Sequence, residues 1–185
     1  MSKLIIEKDE IAYDGKYMQT IRRHFKNCET GERGIWEMVR RKTHGRIVCI
    51  VPITQKKEVI LVKIFRVPAK SWIIEACAGL MDRKGESEEL LARRELLEET
   101  GYKVGRAVKL MEGPYNSGLT ADEIITFLGF GAKKVQEPFL EPSEDIEVIK
   151  VPIKRLGKFL KNPPAAAKVD IKLFAVLYHL EKILP

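Results

Sequence analysis

The sequence lacks the long apolar segments that membrane-spanning proteins carry. No stretch of its 185 residues approaches the roughly 20 consecutive apolar residues that a bilayer-spanning helix needs. Its first ten residues, MSKLIIEKDE, are too highly charged for a secretory signal. We therefore expect a cytoplasmic protein that makes no use of a membrane.

Cysteine and histidine are also scarce. The three cysteines form an odd set without metal-site spacing: Cys28, Cys49 and Cys77. This pattern excludes a disulfide framework and a zinc-ribbon type of site, and it is typical of reduced thiols in a cytoplasmic protein. The three histidines form no motif, and we assign them no chemistry.

Basic residues outnumber acidic ones, but long basic runs are missing. The chain has 33 Lys and Arg against 26 Asp and Glu, a formal charge of +7. The short clusters Arg22-Arg23 and Arg40-Arg41-Lys42 have none of the interleaved aromatic residues of a nucleic-acid platform. The charge is compatible with an anionic ligand such as a nucleotide, and it does not favour nucleic acid as the partner.

Acidic residues, in contrast, concentrate in one segment. A helix is predicted over residues 86–100, with Gly101 as its C-cap, and it places Glu95, Glu98 and Glu99 at i, i+3 and i+4. Like charges at this spacing destabilise a helix, and hard oxygen ligands so arranged suit Mg²⁺ or Mn²⁺. For three glutamates alone, a solvated acidic helix face is the stronger interpretation.

The remaining pattern predicts strands before and after this helix and two helices at the end of the chain. The predicted strands cover residues 4–8, 17–25, 35–41, 46–53, 59–65, 73–76, 107–111, 124–130 and 146–151. The predicted terminal helices cover residues 152–161 and 165–184. This order favours an α/β sandwich with mixed sheets over a doubly wound fold.

The acidic helix and its flanks resemble the signature of the Nudix hydrolases, Gly-x5-Glu-x7-Arg-Glu-U-x-Glu-Glu-x-Gly-U, where U is bulky and apolar. The match runs from Glu86 through seven residues to the segment Arg94-Glu95-Leu96-Leu97-Glu98-Glu99-Thr100-Gly101-Tyr102. Gly79 precedes Glu86 by six residues instead of five, and a loop can absorb the extra residue at little cost.

The resemblance implies an α/β (α+β) fold, the Nudix-type α/β/α sandwich with a mixed central sheet and a small N-terminal antiparallel β subdomain. We expect the N-terminal subdomain over residues 1–44, where it would serve dimerisation and base recognition. The hydrolase domain is expected over residues 45–185. Because the N-terminal sheet of related enzymes is exchanged between subunits, the resemblance also implies a homodimer.

Segments outside the signature are similar to ADP-ribose and ADP-sugar pyrophosphatases. They are Ile35–Arg41, Phe65–Pro68, Glu75–Gly79, Asn116–Glu123 and Ser143–Val148. The similarity implies that Trp36 stacks on adenine and that Arg66 binds a phosphate or the terminal sugar, with Glu75 and Ser117 also on the substrate. The alternative for Trp36 is a core residue of its strand. The Asn116–Glu123 loop lacks the proline found in many ADP-ribose enzymes.

The resemblance also implies a metal site for Mg²⁺, with Mn²⁺ as a substitute. Glu95 and Glu99 are expected to bind the metal directly, Glu98 to share or bridge a site, and the main-chain carbonyl of Ala78 to complete a shell. Arg94 is expected to orient Glu86 or a metal-binding carboxylate. Its alternative role is an ordinary i,i+4 ion pair with Glu98.

The general base is expected in a mobile acidic loop after the signature. Glu144 is the best positional match in this sequence, and Glu141 is the reserve. The alternative is that residues 137–147 form a solvated acidic loop without catalytic function.

Together these expectations describe Mg²⁺-dependent hydrolysis of the pyrophosphate bond in a nucleoside diphosphate joined to a second group. The favoured substrate is ADP-ribose or an ADP-sugar, yielding AMP and a sugar phosphate. GDP-mannose, NADH and capped or 5′-triphosphorylated RNA are alternatives within the same fold. A catalytically silent nucleotide-sugar sensor is the alternative from another class.

Overall fold

The computed structural model describes residues 2–42, 46–142, 144–164 and 166–183. Twelve strands are described: β1 Leu4–Asp14, β2 Met18–Asn27, β3 Arg33–Arg41, β4 Arg46–Thr54, β5 Glu58–Arg66, β6 Ser71–Glu75, β7 Cys77–Leu80, β8 Tyr102–Lys103, β9 Arg106–Pro114, β10 Glu123–Lys134, β11 Ile146–Pro152 and β12 Ala167–Val169. The helices are α1 Glu88–Thr100, α2 Ile153–Lys161 and α3 Lys172–Ile183, with a 3-10 turn at Val67–Ala69.

The chain divides into two compact units. The first unit contains Met1–Ile47, Leu80–Lys84 and Glu112–Ile124, and the second contains Val48–Gly79, Gly85–Met111 and Ile125–Pro185. In the first unit, β1, β2 and β3 form an antiparallel sheet in that order. Many apolar side chains of this sheet are exposed, including Leu4, Ile6 and Trp36.

A nine-stranded mixed sheet forms the framework of the second unit. Its main path runs β12-β6-β5-β4-β10-β8, with β11 paired to β5, β7 to β4 and β9 to β10. The β12–β6 pair is parallel, whereas β5 runs antiparallel to both β6 and β11. The predicted mixed α/β (α+β) fold with a small antiparallel sheet is therefore confirmed.

Continuous apolar strands and the helical spacing of apolar residues explain the core of the second unit. The central strands β4 and β5 are apolar on both faces, as expected for buried strands, with Val51 and Leu61 fully buried. Helices α2 and α3 contribute buried leucines and valines at helical spacing: Leu156, Leu160, Leu173, Val176 and Leu180. Truncating Leu160 to alanine is expected to cost about 2–5 kcal/mol of stability because it leaves a cavity in this cluster.

Three sequence expectations need correction. The segment predicted as one terminal helix over 165–184 contains strand β12, and helix α3 begins only at Lys172. Strand β12 was missed because its three residues gain their partner, β6, from a distant part of the sequence. Strands β7 and β8 were also missed, because β7 has four residues and β8 has two, too few to show the alternating pattern of a strand. The third concerns α1, whose sequence predicts an apolar side formed by Leu90, Leu91, Leu96 and Leu97: Leu90 is exposed, whereas Leu91 and Leu96 are buried.

No helix in the described ranges is both long and apolar enough to cross a membrane.

Candidate active site

The acidic helix α1 is fixed at both ends by local chemistry. Ser87 caps its start, where the hydroxyl accepts a hydrogen bond from the Leu90 N–H at 3.3 Å. Glu88 in the first turn stabilises the positive end of the helix dipole. Gly101 ends the helix at φ 75°, and a Cβ at this position would overlap the carbonyl oxygen of Gln136. These caps define which glutamates share a face.

Arg94 is surrounded by carboxylates. Its Nε and Nη2 donate to the two oxygens of Glu86 at 2.9 and 3.2 Å, a bidentate pair. Its Nη1 lies 2.9 Å from Glu98 Oε2 and 2.8 Å from Glu95 Oε1. The hydrogen bond with Glu86 is the main reason why the pKa of Arg94 is raised. Both roles predicted for Arg94, orienting Glu86 and pairing with Glu98, are geometrically present.

Glu95 and Glu99 place their carboxyl groups in surroundings that are partly and almost fully buried, respectively. Burial raises the pKa of Glu95 to about 7, opposed by Arg94, and raises that of Glu99 to about 8, assisted by the charges of Glu95 and Glu144. Glu99 is only 6% exposed, and within the described part of the chain its Oε2 has no hydrogen-bond partner. An uncompensated buried carboxylate is costly unless a cation is bound beside it.

The strand before the helix approaches these carboxylates closely. The position of Gly79 on β7 leaves no room for a side chain, because a Cβ there would overlap the Glu95 carboxylate. The neighbouring Ala78 donates its backbone N–H to Glu99, which partly offsets the rise in pKa. Cys77 is fully buried, and its thiol is also within hydrogen-bonding reach of Glu99. Burial raises the pKa of the Cys77 thiol well above its usual value, so it is a packing residue and not a nucleophile.

These residues suit a hard divalent cation. Buried carboxylate oxygens without a counter-charge are the ligands that Mg²⁺ and Mn²⁺ prefer. Within residues 2–42, 46–142, 144–164 and 166–183, however, no three acidic, histidine or cysteine side chains are drawn together as a coordination shell. Glu98 instead contacts Arg94. The ligand set of Ala78, Glu95, Glu98 and Glu99 therefore stays a prediction that the chemistry of Glu99 favours.

Two predicted substrate-binding residues contact each other. The Arg66 guanidinium donates to both oxygens of Glu75, at 3.0 and 2.7 Å. This pairing is the largest cause of the raised pKa of Arg66, and the Glu99 charge contributes to it. Arg66 remains 44% exposed in its side chain, so a planar anion can reach the outer edge of the guanidinium.

The other two predicted substrate contacts lie in the first compact unit. Trp36 is 53% exposed and donates its indole N–H to the carbonyl oxygen of Gly118 at 2.8 Å, so the core alternative for this ring is wrong. Trp36 and Ser117 line one largely apolar cavity of about 500 Å³. The cavity is completed by residues of β1 to β3 and of the loop between β9 and β10: Leu4, Ile6, Phe25, Met38 and Leu119.

Sequence reasoning missed the residues that hold this loop. Asp122 is 3% exposed and accepts a hydrogen bond from Arg41 Nε at 3.0 Å. The Val39 N–H donates to the Leu119 carbonyl at 2.8 Å. Together with the Trp36 bond, these contacts attach the Ser117 loop to β3 at three points. Asp122 was visible in the sequence as an acid at the end of the loop, but its partner, Arg41, lies 81 residues away.

The acidic loop after β10 faces α1. The Glu144 carboxylate accepts the Glu141 N–H at 2.9 Å, and its charge raises the pKa of Glu95 and Glu99. Glu144 is partly buried, whereas Glu141 is exposed. Ser143, part of the resemblance, lies outside the described residues. Among the acids of this loop, Glu144 is the one whose charge affects both glutamates of the helix.

Comparisons with known proteins place these features in a family. The NUDIX domain model matches residues 43–175. The chain is 34% identical over 169 residues to a putative Nudix hydrolase 2 from Caenorhabditis elegans, covering 83% of this chain and 74% of that protein. It is 35% identical over 121 residues to an ADP-ribose pyrophosphatase from Bacillus subtilis strain 168, covering 64% of each.

Two further similarities bear on substrate class and fold. A GDP-mannose pyrophosphatase from Cronobacter sakazakii is 32% identical over 137 residues, covering 69% of this chain and 68% of that protein. The crystal structure of an ADP compounds hydrolase superposes with a TM-score of 0.82 at 20% identity, covering 100% of this chain and 95% of that one. At that identity the structural match supports the fold alone.

Proposed function

This chain belongs to the Nudix hydrolase family, and from that premise we propose that it hydrolyses the diphosphate bond of ADP-ribose or an ADP-sugar with Mg²⁺. The products are AMP and a sugar phosphate. The observation that carries the proposal is the pair of partly buried Glu95 and buried Glu99, whose pKa values are raised; among the described residues, Glu99 Oε2 has no hydrogen-bond partner. A buried double carboxylate of this kind suits a divalent cation that neutralises phosphate oxygens.

Glu95, Glu99 and the Ala78 carbonyl are proposed to hold the cation, with Glu98 sharing the site once Arg94 releases part of its contact. A divalent cation held by these residues would supply charge stabilisation to the diphosphate and would make water at the site easier to deprotonate. Arg94 fixes the helix carboxylates through its bidentate bond to Glu86. Its Nη1 also contacts the proposed ligands Glu95 and Glu98, and such a contact to a metal ligand is commonly worth about 10–100-fold in metal affinity.

Glu144 is proposed as the general base. Its charge raises the pKa of both Glu95 and Glu99, which supports a role for this carboxylate near the proposed metal ligands. A base must be within hydrogen-bond reach of the water it deprotonates, and a loop position allows the carboxylate to move there after substrate binds. Glu141 stays the reserve.

Substrate recognition is proposed to use two groups of residues. Arg66 would contact a phosphate or the terminal sugar from its exposed edge while Glu75 holds the guanidinium plane. Trp36 would stack on adenine, with Ser117 beside it in the same cavity. The indole N–H bond to Gly118 supports this role because it fixes the ring without covering its face.

A homodimer is proposed as the working state. The sheet of the first unit exposes a set of large apolar side chains, which supports an interface with a second copy of the chain. Its members include Leu4, Ile5, Ile6, Ile11 and Ile35, each at least 48% exposed. Analytical ultracentrifugation should give twice the chain mass of 21.2 kDa; a fully active monomer would contradict the proposal.

The test of function is turnover across a panel of nucleoside diphosphate compounds with Mg²⁺, Mn²⁺ or EDTA. We expect ADP-ribose or an ADP-sugar to give the highest kcat/KM, with product analysis showing AMP, and no turnover in EDTA. GDP-mannose is the second candidate, because a GDP-mannose pyrophosphatase is similar over most of this chain. Tight binding of the panel without turnover would instead favour the sensor.

A further inference from the structure

Helix α2 carries an exposed basic face. Its sequence is IKRLGKFLK, with Leu156 and Leu160 buried in the core of the second unit. The exposed side holds four cations, which we call the basic face: Lys154, Arg155, Lys158 and Lys161. The spacing i, i+1, i+4 and i+7 places them along one stripe of the helix.

This arrangement is unfavourable for the helix itself. Lys154 and Arg155 stand in the first turn, where the helix dipole favours acids, and that turn contains none. Lys158 is at i+4 and i+3 from them, so the like charges also repel each other. In the described ranges, no acidic side chain forms an ion pair, defined by an N···O distance of at most 4.0 Å, with any cation of the basic face. Lys154 and Arg155 therefore gain nothing from the helix dipole, whereas Lys158 and Lys161 stand in the last turn, where cations are favourable.

Other elements bring more cations to the same helix. Lys150 at the end of β11 is exposed and lines a cavity together with Arg155 and Lys158. The turn between β4 and β5 presents Lys56 and Lys57, and the Lys57 carbonyl accepts the N–H of Ile153 at 2.9 Å, at the start of α2. Lys56 and Lys57 are almost a hundred positions away from Lys150 and α2 in the sequence. The sequence therefore does not show all of these cations as one basic run.

Two cavities adjoin the helix. One, of about 560 Å³, is lined by Lys150, Arg155, Lys158, Phe159 and Asn162 among others. The second, of about 610 Å³, shares Lys158 and Asn162 with the first and adds Lys154, Lys161 and one acid, Glu181. The first cavity thus combines phosphate-binding cations with an aromatic ring, a guanidinium plane and an amide, the groups that bind unstacked bases.

We propose that α2 and its two cavities form a docking surface for single-stranded nucleic acid, with the basic face on the phosphates and Phe159 and Arg155 beside a base. An anionic membrane fits less well. A membrane-surface helix inserts large apolar side chains, but Leu156 and Leu160 of α2 are buried, and Phe159 is partly buried against the core and reaches only the first cavity. This surface is separate from the proposed diphosphate chemistry and does not depend on it.

The test measures binding of a fluorescein-labelled 12-nucleotide poly(U) RNA by anisotropy, using the full chain over a series of salt concentrations. The variant K154E/R155E/K158E/K161E reverses the basic face. The control variant K8E/K103E/K133E/K168E makes the same change in net charge at four exposed lysines elsewhere. A milder set with glutamine at the four α2 positions guards against misfolding, and thermal unfolding checks all variants.

We expect the parent to bind with a slope of log K against log salt near −2.8 if all four cations meet phosphates, since each contributes about −0.7 on a single strand. The α2 variants should lose at least about tenfold in affinity and most of the slope, while the control loses less than about threefold. A single-stranded DNA oligonucleotide of the same length should bind with similar affinity. A duplex of that length should bind more weakly. Equal losses in the α2 and control variants, preference for the duplex, or binding only to phosphatidylserine vesicles would overturn the proposal.

Discussion

Helices α1 and α2 both concentrate charge of one sign, yet the molecule treats the two charges differently. In α1, Arg94 contacts Glu95 and Glu98 of the helix and Glu86 just before it, and Glu99 is almost fully buried. In α2 the cations point outward and have no ion-pair partner in the described ranges. The difference indicates that a small ion bound among side chains matches the first cluster, whereas an extended anion on the surface matches the second.

The largest effect should follow from neutralising the buried end of the acidic cluster. The variant E99Q is expected to lower kcat/KM for the best diphosphate substrate by about 10³-fold, because it removes a proposed metal ligand. E89Q is the matched control: Glu89 lies on the same helix but is exposed and pairs only with Arg93. Steady-state kinetics at saturating Mg²⁺ make the comparison, and a near-normal rate in E99Q would refute the assignment.

Replacing the proposed base should give a smaller and more specific loss. E144Q is expected to reduce kcat by about 10²-fold with little change in KM, since general-base catalysis typically contributes 10²–10⁴-fold. The parallel variant E141Q should retain most activity. If E141Q loses the activity instead, the reserve residue is the base, and if neither does, the loop has no such function.

Weakening the contacts of Arg94 inside the acidic cluster should lower the affinity for the metal. R94K retains the charge of Arg94 but cannot hold Glu86 and the proposed ligands Glu95 and Glu98 at the same time, so the concentration of Mn²⁺ needed for half-maximal binding should rise about 10–100-fold. Electron paramagnetic resonance of free Mn²⁺ measures this without turnover. R93K, at a neighbouring arginine that pairs with Glu89, provides the control and should bind normally.

The raised pKa values predict how stability depends on pH without metal. Glu95 and Glu99, with pKa values of about 7 and about 8, hold protons in the folded state that an unfolded glutamate releases near pH 4.5. Their neutral forms therefore favour folding at low pH, and this contribution is lost as pH rises through 7 to 8. In EDTA we expect Tm to fall between pH 5.5 and 8.5 from this cause, by about 2–4 °C for each kcal/mol of stability lost in a chain of this length.

A variant separates this cause from other titrating groups. E99Q carries a neutral side chain at every pH, so its Tm should fall less over the same interval. Differential scanning calorimetry would detect the difference; parallel curves for E99Q and the parent would show that Glu99 does not titrate in this range.

The smallest effects should appear at the two ends of α2. K154E places an acid in the first turn and should raise stability by about 0.5 kcal/mol, whereas K161E removes a cation from the last turn and should lower it by a similar amount. Urea unfolding of the two single variants measures both signs within one helix. Equal shifts in one direction would show that the dipole does not govern these positions.

The comparison of the two helices also shows what a sequence can predict. The acidic helix, its caps and the spacing of its glutamates are local, so the family, the mixed sheet and most element positions could be inferred. The contacts that shape the site are not local: Asp122 with Arg41, and Glu99 with β7, depend on pairings across the fold. The cations around α2 were visible individually, but only the fold brings Lys57 beside Ile153.

The account rests most on Glu95 and Glu99 as buried carboxylates that exchange protons for a divalent cation. Calorimetric titration of Mn²⁺ at pH 6.5, in two buffers with different ionisation enthalpies, counts the protons released on binding. We predict release of about one proton or more by the parent, and weaker binding with less release in E99Q, since a neutral glutamine has no proton to give up. Equal affinity in both proteins, with no proton release from either, would contradict the central claim.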